Sequence, residues 1–266
     1  YVVAGVESMS RVKRRGFNWS PHPALESGVT EAYVSMGATA ENVARMYGIS
    51  REEQEAFALK SHTKAAEKET QNPNIIGIDN GDGGIVDQDG CIRPSTTLES
   101  MARLPLAFDE SGTVTAATSS PLTDGAVAMV VCSQDFVHRV KAESTSKILG
   151  GCVVGVHPNV MGLGPINAGR KLSHLTGIDI SDVDVFEVNE AFASQSIATI
   201  RDLELDPDRV NIQGGAISIG HPLGASGARI IGQSQHILET EGKEIAMALM
   251  CIGGGMGIGV ALRREC

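Results

Sequence analysis

The sequence predicts an α/β protein in which sheets and helices are stacked in layers. Short apolar runs typical of strands alternate with longer stretches in which apolar residues recur at helical spacing. Aromatic residues make up only 4% of the 266 residues, while glycines number 31, so small and aliphatic side chains are expected to build the core. This length suffices for one large domain or two modest ones with a sizeable buried interior.

The first third of the chain predicts one strand followed by a pair of helices. Residues 1–5 (YVVAG) form a short apolar run typical of a strand, and a polar, locally basic stretch with prolines follows. Helical periodicity then extends over residues 38–69. Ser50 with acidic residues directly after it predicts the N-cap of the second helix. Residues 10–100 are more irregular than the rest and predict an inserted loop domain.

The remainder alternates regularly between strands and helices. Strands are predicted over residues 126–131, 147–158 and 183–188, and a helix is expected to begin near Glu190. Residues 225–242 predict a helix that is closed by Gly242. Two further strands, EIAMALMC and GIGVALRRE, flank a run of glycines. This order indicates α/β layering.

Charge and cysteine content exclude several classes of function. The net charge of −10 argues against a nucleic-acid-binding protein, which needs a basic face. None of the five cysteines forms a CxxC pair, so no metal site is predicted. Cys132 and Cys152 end or interrupt apolar strands, which predicts core positions.

No apolar run reaches the length of a membrane span. A reducing compartment is expected, most simply the cytoplasm, and mitochondrial or peroxisomal locations stay compatible with the sequence.

The stretch MCIGGGMGIG, residues 250–259, allows three interpretations. A phosphate-binding loop is disfavoured, because the glycine spacing is wrong and a strand rather than a helix follows. A glycine-rich turn between two core strands is the default. The third interpretation is a thiol beside uncovered backbone N–H groups that could stabilise an oxyanion.

Two further motifs carry polar residues at the ends of predicted elements. His221 precedes Pro222 in a glycine-rich bend, and it is either a buried histidine in a turn or an imidazole held to polarise a carbonyl or activate a thiol. Asn189 and Glu190 follow an apolar strand. They are either an N-cap and a first-turn acid, or a site in which Asn189 holds a water or a substrate oxygen.

Taken together, these motifs carry a resemblance to the thiolase family. NEAFA, GGAISIGHPLGASGAR and CIGGGMG resemble its three C-terminal signature blocks in their usual order. VVAG-VESMS, AYVSMGATAENVA and TVTAATSSPLTDGA resemble further family segments, so the likeness covers essentially the whole chain. It implies a layered αβαβα fold whose N-terminal half is incomplete. Residues 1–9 and 101–143 would be the remainder of the N-terminal domain, residues 10–100 the loop domain and residues 144–266 the C-terminal domain.

The resemblance implies an acetyl-CoA C-acyltransferase that cleaves or forms 3-ketoacyl-CoA through an S-acyl cysteine. It makes His221 the residue that activates the nucleophilic thiol and helps form one oxyanion hole, in which Asn189 orients a water. Cys251 would be the acid/base cysteine, and Gly253 would give its N–H to the other oxyanion hole.

The resemblance also implies ligands and assembly. Met36, Ser120 and Phe192 fall where family members line the pantetheine pocket of coenzyme A. Coenzyme A and acyl-CoA would be substrates, with no bound cofactor and no metal. A homodimer or homotetramer is expected.

One family feature has no counterpart here. In the family, the acylated cysteine lies in a C-x-S-G segment upstream of the block that VVAG-VESMS resembles here. None of the five cysteines of this sequence lies in such a segment. The chain is therefore expected to be part of a longer thiolase and to be inactive alone. The alternative is a truncated, non-catalytic CoA-binding or assembly protein. SSPLTDGA, and Ser35 in place of a histidine, favour the fatty-acid degradation branch.

Overall fold

The computed structural model describes residues 1–12, 16–28, 30–68, 73–142 and 144–265. The strands are β1 (Val2–Ser8), β2 (Ile78–Asp79), β3 (Ile85–Val86), β4 (Asp124–Val130), β5 (Thr145–Gly155), β6 (Val185–Val188), β7 (Ile245–Ile252) and β8 (Met256–Glu265). The helices are α1 (Pro23–Gly28), α2 (Met36–Tyr47), α3 (Arg51–Lys68), α4 (Leu98–Ala102), α5 (Gln134–Val140), α6 (Gly164–Thr176), α7 (Ala193–Asp202), α8 (Ala216–Ile219) and α9 (Leu223–Thr240).

The largest sheet among the described residues has four strands in the order β5-β8-β7-β6. β6 and β7 are parallel, whereas β5 with β8 and β7 with β8 are antiparallel. Side chains alternate along β7: Met247 and Leu249 pack in one cluster with α6, and Ala246 packs in another with α9. The two helices therefore cover opposite faces of this sheet.

Helix α9 also supports a second sheet, in which β1 and β4 pair antiparallel. The contact is close enough to require glycine, because a Cβ on Gly5 would lie 2.1 Å from the carbonyl oxygen of Gly224. The layers thus run α6, four-stranded sheet, α9, β1–β4 sheet. The layered α/β architecture predicted from the sequence is confirmed.

The residues expected at two helix ends, Ser50 and Gly242, occur there in the structure. Ser50 and Glu53 form a capping box before α3: Glu53 N donates to Ser50 Oγ (3.2 Å), and Ser50 N donates to a Glu53 carboxylate oxygen (2.9 Å). Gly242, just after α9, has φ of 63°, as expected for a residue that ends a helix. Both predictions are confirmed.

Several sequence-based expectations were wrong, among them the strand over residues 147–158, because β5 ends at Gly155. Helix α7 begins at Ala193 rather than near Glu190. Cys132 is exposed because β4 ends at Val130, before the cysteine, whereas Cys152 is buried as expected. Residues 183–184 precede β6 and are not part of the strand.

Candidate functional site

One cavity of about 320 Å³ lies where the ends of several elements meet. Its walls come from the N-terminus of α2, the segment before β4, the segment after β6, the bend before α9 and the turn between β7 and β8. The lining is mostly apolar, and its larger side chains include Met9, Met36, Phe108, Met161, Phe192 and Met250. A concave apolar site with a few polar groups is typical of a pocket for a small ligand.

Cys251 enters this cavity from the second-last residue of β7. β7 and β8 form a hairpin whose turn is Gly253, Gly254 and Gly255, so the glycine-rich turn between core strands predicted from the sequence is confirmed. Gly254 and Gly255 have φ of 86° and 94°, a region that favours glycine. Gly253 lines the cavity beside Cys251. The hairpin therefore presents a thiol and a glycine backbone to the same space.

His221 lies in the bend between α8 and α9 and also lines the cavity. Its backbone N–H donates to Thr123 Oγ1 (3.2 Å), and its ring Nδ1 lies 2.6 Å from Ser226 Oγ. Ser226 Oγ donates in turn to the carbonyl of Pro222 (2.9 Å). His221 is therefore held at its backbone by Thr123 and at its imidazole ring by Ser226.

Asn189 does not line the cavity, but it contacts the histidine. Its Nδ2 lies 3.2 Å from His221 Nε2, the ring nitrogen not used by Ser226. Asn189 directly follows β6, and its backbone N–H donates to the carbonyl of Leu249 in β7 (2.9 Å). Since α7 begins only at Ala193, the N-cap interpretation of Asn189 was wrong.

Glu190 is buried in the core and is not a first-turn acid of α7. Its carboxylate accepts hydrogen bonds from Ser61 Oγ (2.7 Å), Asn211 Nδ2 (2.8 Å) and the backbone N–H of Ile217 (3.1 Å). These donors belong to segments far apart in the chain. Glu190 therefore ties α3, the segment after β6 and α8 together behind the cavity.

The remaining sequence-predicted residues lie in the cavity wall. Met36 begins α2, Ser120 precedes β4, and Phe192 immediately precedes α7. Ser120 N donates to the carbonyl of Ala191 (3.1 Å), which holds the two segments together. The cavity thus includes every sequence-predicted site residue except Asn189.

Several lining residues carried no sequence signal. Phe108 packs edge-on against Phe192, with ring centroids 5.9 Å apart, and Met161 joins the same cluster of side chains as Cys251. Phe108 lies in a loop and Met161 in a short 3-10 helix, Pro158–Leu163, and neither segment carries a motif. Only the folded chain brings them to the site.

Burial leaves both reactive side chains neutral at pH 7. Desolvation, with a smaller contribution from the Arg229 charge, lowers the pKa of His221 to about 4. Desolvation raises the pKa of the Cys251 thiol to about 12. The site therefore holds a neutral imidazole that can accept a proton and a thiol that can donate one.

Among the described residues, no group of three or more His, Cys, Asp or Glu side chains is placed to hold a metal ion. Within the same residues, no helix is both long and apolar enough to cross a membrane.

Comparison with known proteins assigns the chain to a family. Residues 1–135 match the model of the thiolase N-terminal domain, and residues 142–264 match that of the thiolase C-terminal domain. The chain belongs to the thiolase family.

The chain is similar to named members of that family. It is 40% identical to the 3-ketoacyl-CoA thiolase of Marinomonas sp. (strain MWYL1), with 99% of this chain and 70% of the relative covered. It is 39% identical to the 3-ketoacyl-CoA thiolase of Bacillus subtilis (strain 168), covering 96% and 69% respectively.

Solved structures show the same fold. The dimeric peroxisomal thiolase of Saccharomyces cerevisiae superposes with a TM-score of 0.91 at 34% identity, covering 99% of this chain and 68% of that one. Human mitochondrial 3-ketoacyl-CoA thiolase, solved in complex with CoA, gives a TM-score of 0.88 at 36% identity, covering 100% and 71%.

Proposed function

We propose that this chain is part of an acyl-CoA:acetyl-CoA C-acyltransferase that reversibly cleaves 3-ketoacyl-CoA by thiolysis. The observation that carries the proposal is the convergence of His221, Cys251 and Gly253 on one apolar cavity, with Asn189 bonded to the histidine. The relatives' activity supports the same reaction class. Fatty-acid degradation is the pathway we favour, on the SSPLTDGA segment and Ser35.

In this proposal the neutral groups of the site divide the proton transfers between them. The His221 imidazole accepts the thiol proton of the nucleophilic cysteine before that cysteine is acylated, and Cys251 supplies a proton to the carbanion carbon or the departing CoA thiolate. Cleavage of the carbon–carbon bond creates an enolate oxygen, and acyl transfer creates a tetrahedral one. The Gly253 N–H would stabilise one oxyanion, and His221 with a water oriented by Asn189 would stabilise the other.

We further propose that coenzyme A and its acyl thioesters are the substrates. The pantetheine arm is a largely uncharged chain, which suits the mostly apolar cavity that Met36, Ser120 and Phe192 help to line. The domain division belongs to the same proposal: residues 10–100 form a loop domain inserted into the N-terminal domain, which comprises residues 1–9 and 101–143. Residues 144–266 form the C-terminal domain.

The nucleophilic cysteine is proposed to come from outside these 266 residues. Of the described cysteines, only Cys251 lines the cavity. The chain alone would then bind but not turn over its substrate. The same observation motivates the second candidate, a non-catalytic thiolase-like protein that binds CoA or assists assembly.

The first experiment uses this chain extended by the upstream segment of its relatives that carries the C-x-S-G motif. Cys251→Ala in that protein is expected to retain acylation by acetyl-CoA while losing condensation and thiolysis at least 100-fold, on the order expected when a positioned acid/base is removed. Mass spectrometry of the acyl-enzyme and chromatography of acetyl-CoA give the two readouts. Cys152→Ala, which removes a buried cysteine outside the cavity, is the control. Full turnover in Cys251→Ala would overturn the assignment.

A second experiment separates the two candidates. Isothermal titration of CoA into the 266-residue chain tests whether the cavity binds the ligand without the nucleophile. Binding without turnover in the extended protein would favour the non-catalytic candidate, whereas binding with turnover favours the enzyme. No heat of binding would count against both.

Assembly and location complete the proposal. We expect a homodimer or homotetramer, as the yeast relative is a dimeric thiolase, and a cytoplasmic location.

A further inference from the structure

A second, much smaller cavity is lined by Asn189, the residue that contacts His221 of the large cavity. It has a volume of about 10 Å³ and is enclosed by β6, α8 and α9. Its polar lining includes Glu187, Asn189 and Arg229. A volume of roughly 10–15 Å³ is the least that holds one water molecule, and such a water needs two to four polar partners.

Two buried oxygen atoms of this lining have no hydrogen-bond partner among the described residues. They are Oε1 of Glu187 and Oδ1 of Asn189, and the two side chains belong to residues that are 4% and 2% exposed. A buried polar atom without a partner costs about 1–3 kcal/mol, so two such atoms on side chains that line one small cavity call for a common explanation.

A donor is also present. Arg229 lines the cavity, and its partly buried guanidinium donates to the carbonyl of Gly220 (2.6 Å) through Nη2. A guanidinium has five N–H donors, so this bond leaves others for a second acceptor. Arg229 is close enough to Glu187 and Glu190 to interact electrostatically with both.

We propose that the small cavity binds one water molecule that bridges Glu187 Oε1 and Asn189 Oδ1, and that Glu187 acts through it as a positioning residue for His221. The water donates one hydrogen to each of these oxygens and accepts from Arg229. All of its hydrogen-bonding capacity but one lone pair is then used.

The bridge determines which end of the Asn189 amide faces the histidine. With Oδ1 bound to the water, the amide presents Nδ2 as a donor to His221 Nε2, at the observed 3.2 Å. Nε2 must then be the unprotonated ring nitrogen. Nδ1–H donates to Ser226 Oγ (2.6 Å), whose own proton is given to the Pro222 carbonyl (2.9 Å). Each hydrogen bond from Glu187 through the water, Asn189, His221 and Ser226 to Pro222 then has one donor and one acceptor.

The protonation state of Glu187 fits this role. Burial and the neighbouring Glu190 carboxylate raise the pKa of Glu187 to about 8, despite the attraction of Arg229 and Lys64. The side chain is mostly neutral at pH 7, so a glutamine can replace it with little change in shape or charge.

The inference rests on the proposed function only in taking His221 as a site residue, and both of its tests are independent of turnover. The first is a high-resolution crystal structure of the 266-residue chain. We expect an ordered water within about 3.2 Å of Glu187 Oε1 and of Asn189 Oδ1. A dry cavity, or a water that contacts only one of the two oxygens, would overturn the proposal.

The second test reads the His221 tautomer by NMR of ¹⁵N-histidine-labelled protein at pH 7, with His221→Gln to assign the signal. The wild type and Glu187→Gln are expected to show His221 protonated only at Nδ1. Glu187→Leu removes the partner of the water and is expected to show both tautomers.

Glu41→Leu is the matched control. Glu41 is an equally buried carboxylate whose partners are Thr113 and the Val114 N–H, so its loss should lower stability without altering the His221 signal. A folded Glu187→Leu protein with the wild-type tautomer, or loss of that tautomer in Glu187→Gln, would refute the positioning role. If Glu187→Leu does not fold, the crystal structure and the Glu187→Gln spectrum decide the question.

Discussion

Burial acts on the two reactive side chains of the cavity in a way that prevents them from forming a charged pair. Because desolvation lowers the pKa of His221 and raises that of Cys251, the neutral imidazole and the neutral thiol are both favoured at pH 7. A thiolate–imidazolium pair, which activates cysteine nucleophiles in other enzymes, is therefore disfavoured between these two groups. Cys251 is suited to donating a proton rather than to attacking a carbonyl.

This difference predicts an order of cysteine alkylation. Cys132 is exposed, whereas Cys251 is buried and has a pKa of about 12, so iodoacetamide at pH 8 should modify Cys132 at least about tenfold faster. Peptide mapping by mass spectrometry over time gives both rates. Denatured protein is the control, in which the two rates should converge. Faster modification of Cys251 in the native protein would contradict the assigned pKa.

The buried carboxyl of Glu187 predicts a pH dependence of stability. Its pKa rises from 4.5 to about 8 on folding, so between these values the native state keeps a proton that the unfolded state releases. Stability from this group is therefore lost as the pH rises from 4.5 to 8. Glu187→Gln removes the titration, so its free energy of unfolding relative to wild type should increase between pH 5 and pH 8 and level off above.

Urea denaturation across this pH range measures the difference. His221 contributes in the opposite direction between pH 4 and its unfolded pKa of 6.5, but this contribution is common to both proteins and cancels. A difference that is independent of pH would show that Glu187 is ionised in the native protein.

At the scale of elements, the hairpin that carries Cys251 is held against α6 by direct backbone contact. Cys251 is paired with Gly257 across the two strands. A Cβ added to Gly257 would lie 2.2 Å from the carbonyl oxygen of Gly164, the first residue of α6. The absence of a side chain at Gly257 thus allows the helix to approach the strand opposite the thiol.

Gly257→Ala is accordingly expected to destabilise the protein by about 1–3 kcal/mol, because helix and strand must separate to admit the methyl group. Gly155→Ala is the matched control, since Gly155 is also in the β5–β8 pairing but a Cβ there has no heavy atom within 4 Å. Thermal and urea denaturation measure both variants. Equal stability of the two variants would rule out the close contact.

At the scale of the whole molecule, the sheet of β1 and β4 exposes an apolar face. α9 packs on one side of this sheet. Every second side chain along both strands points to the opposite side, away from α9. The outward residues are Val2, Ala4 and Val6 of β1 and Ala126, Ala128 and Val130 of β4. A continuous apolar face of this kind favours association with another surface.

The 266-residue chain should therefore associate in a concentration-dependent manner, and Val6→Thr should weaken this association. Val6 is 73% exposed, so threonine has little effect on the core while it reduces the apolar surface. Analytical ultracentrifugation at several concentrations tests this. Val140→Thr, at an exposed position on α5, is the control and should leave association unchanged. Identical behaviour of the two variants would exclude this face.

Features governed by neighbours in the chain were readable from the sequence. The N-cap at Ser50, the glycine after α9 and the turn between β7 and β8 depend on residues a few positions apart, and all three occur as predicted. The family motifs predicted membership of the thiolase family, which the fold and the relatives confirm. The candidate residues that these motifs marked line one cavity, except Asn189, which contacts His221 in the cavity wall.

Other features depended on contacts between distant segments. Glu190 is held in the core by donors from α3 and from the segment before α8, and α7 begins only at Ala193. Phe108 and Met161 reach the cavity from a loop and a short 3-10 helix, which are too short for periodicity to give a signal. The shifted pKa values of His221, Cys251 and Glu187 likewise arise from burial, which exists only once the layers have packed. Residue type and local spacing therefore marked the candidate groups, and tertiary packing determined their neighbours, their protonation and hence the chemistry open to them.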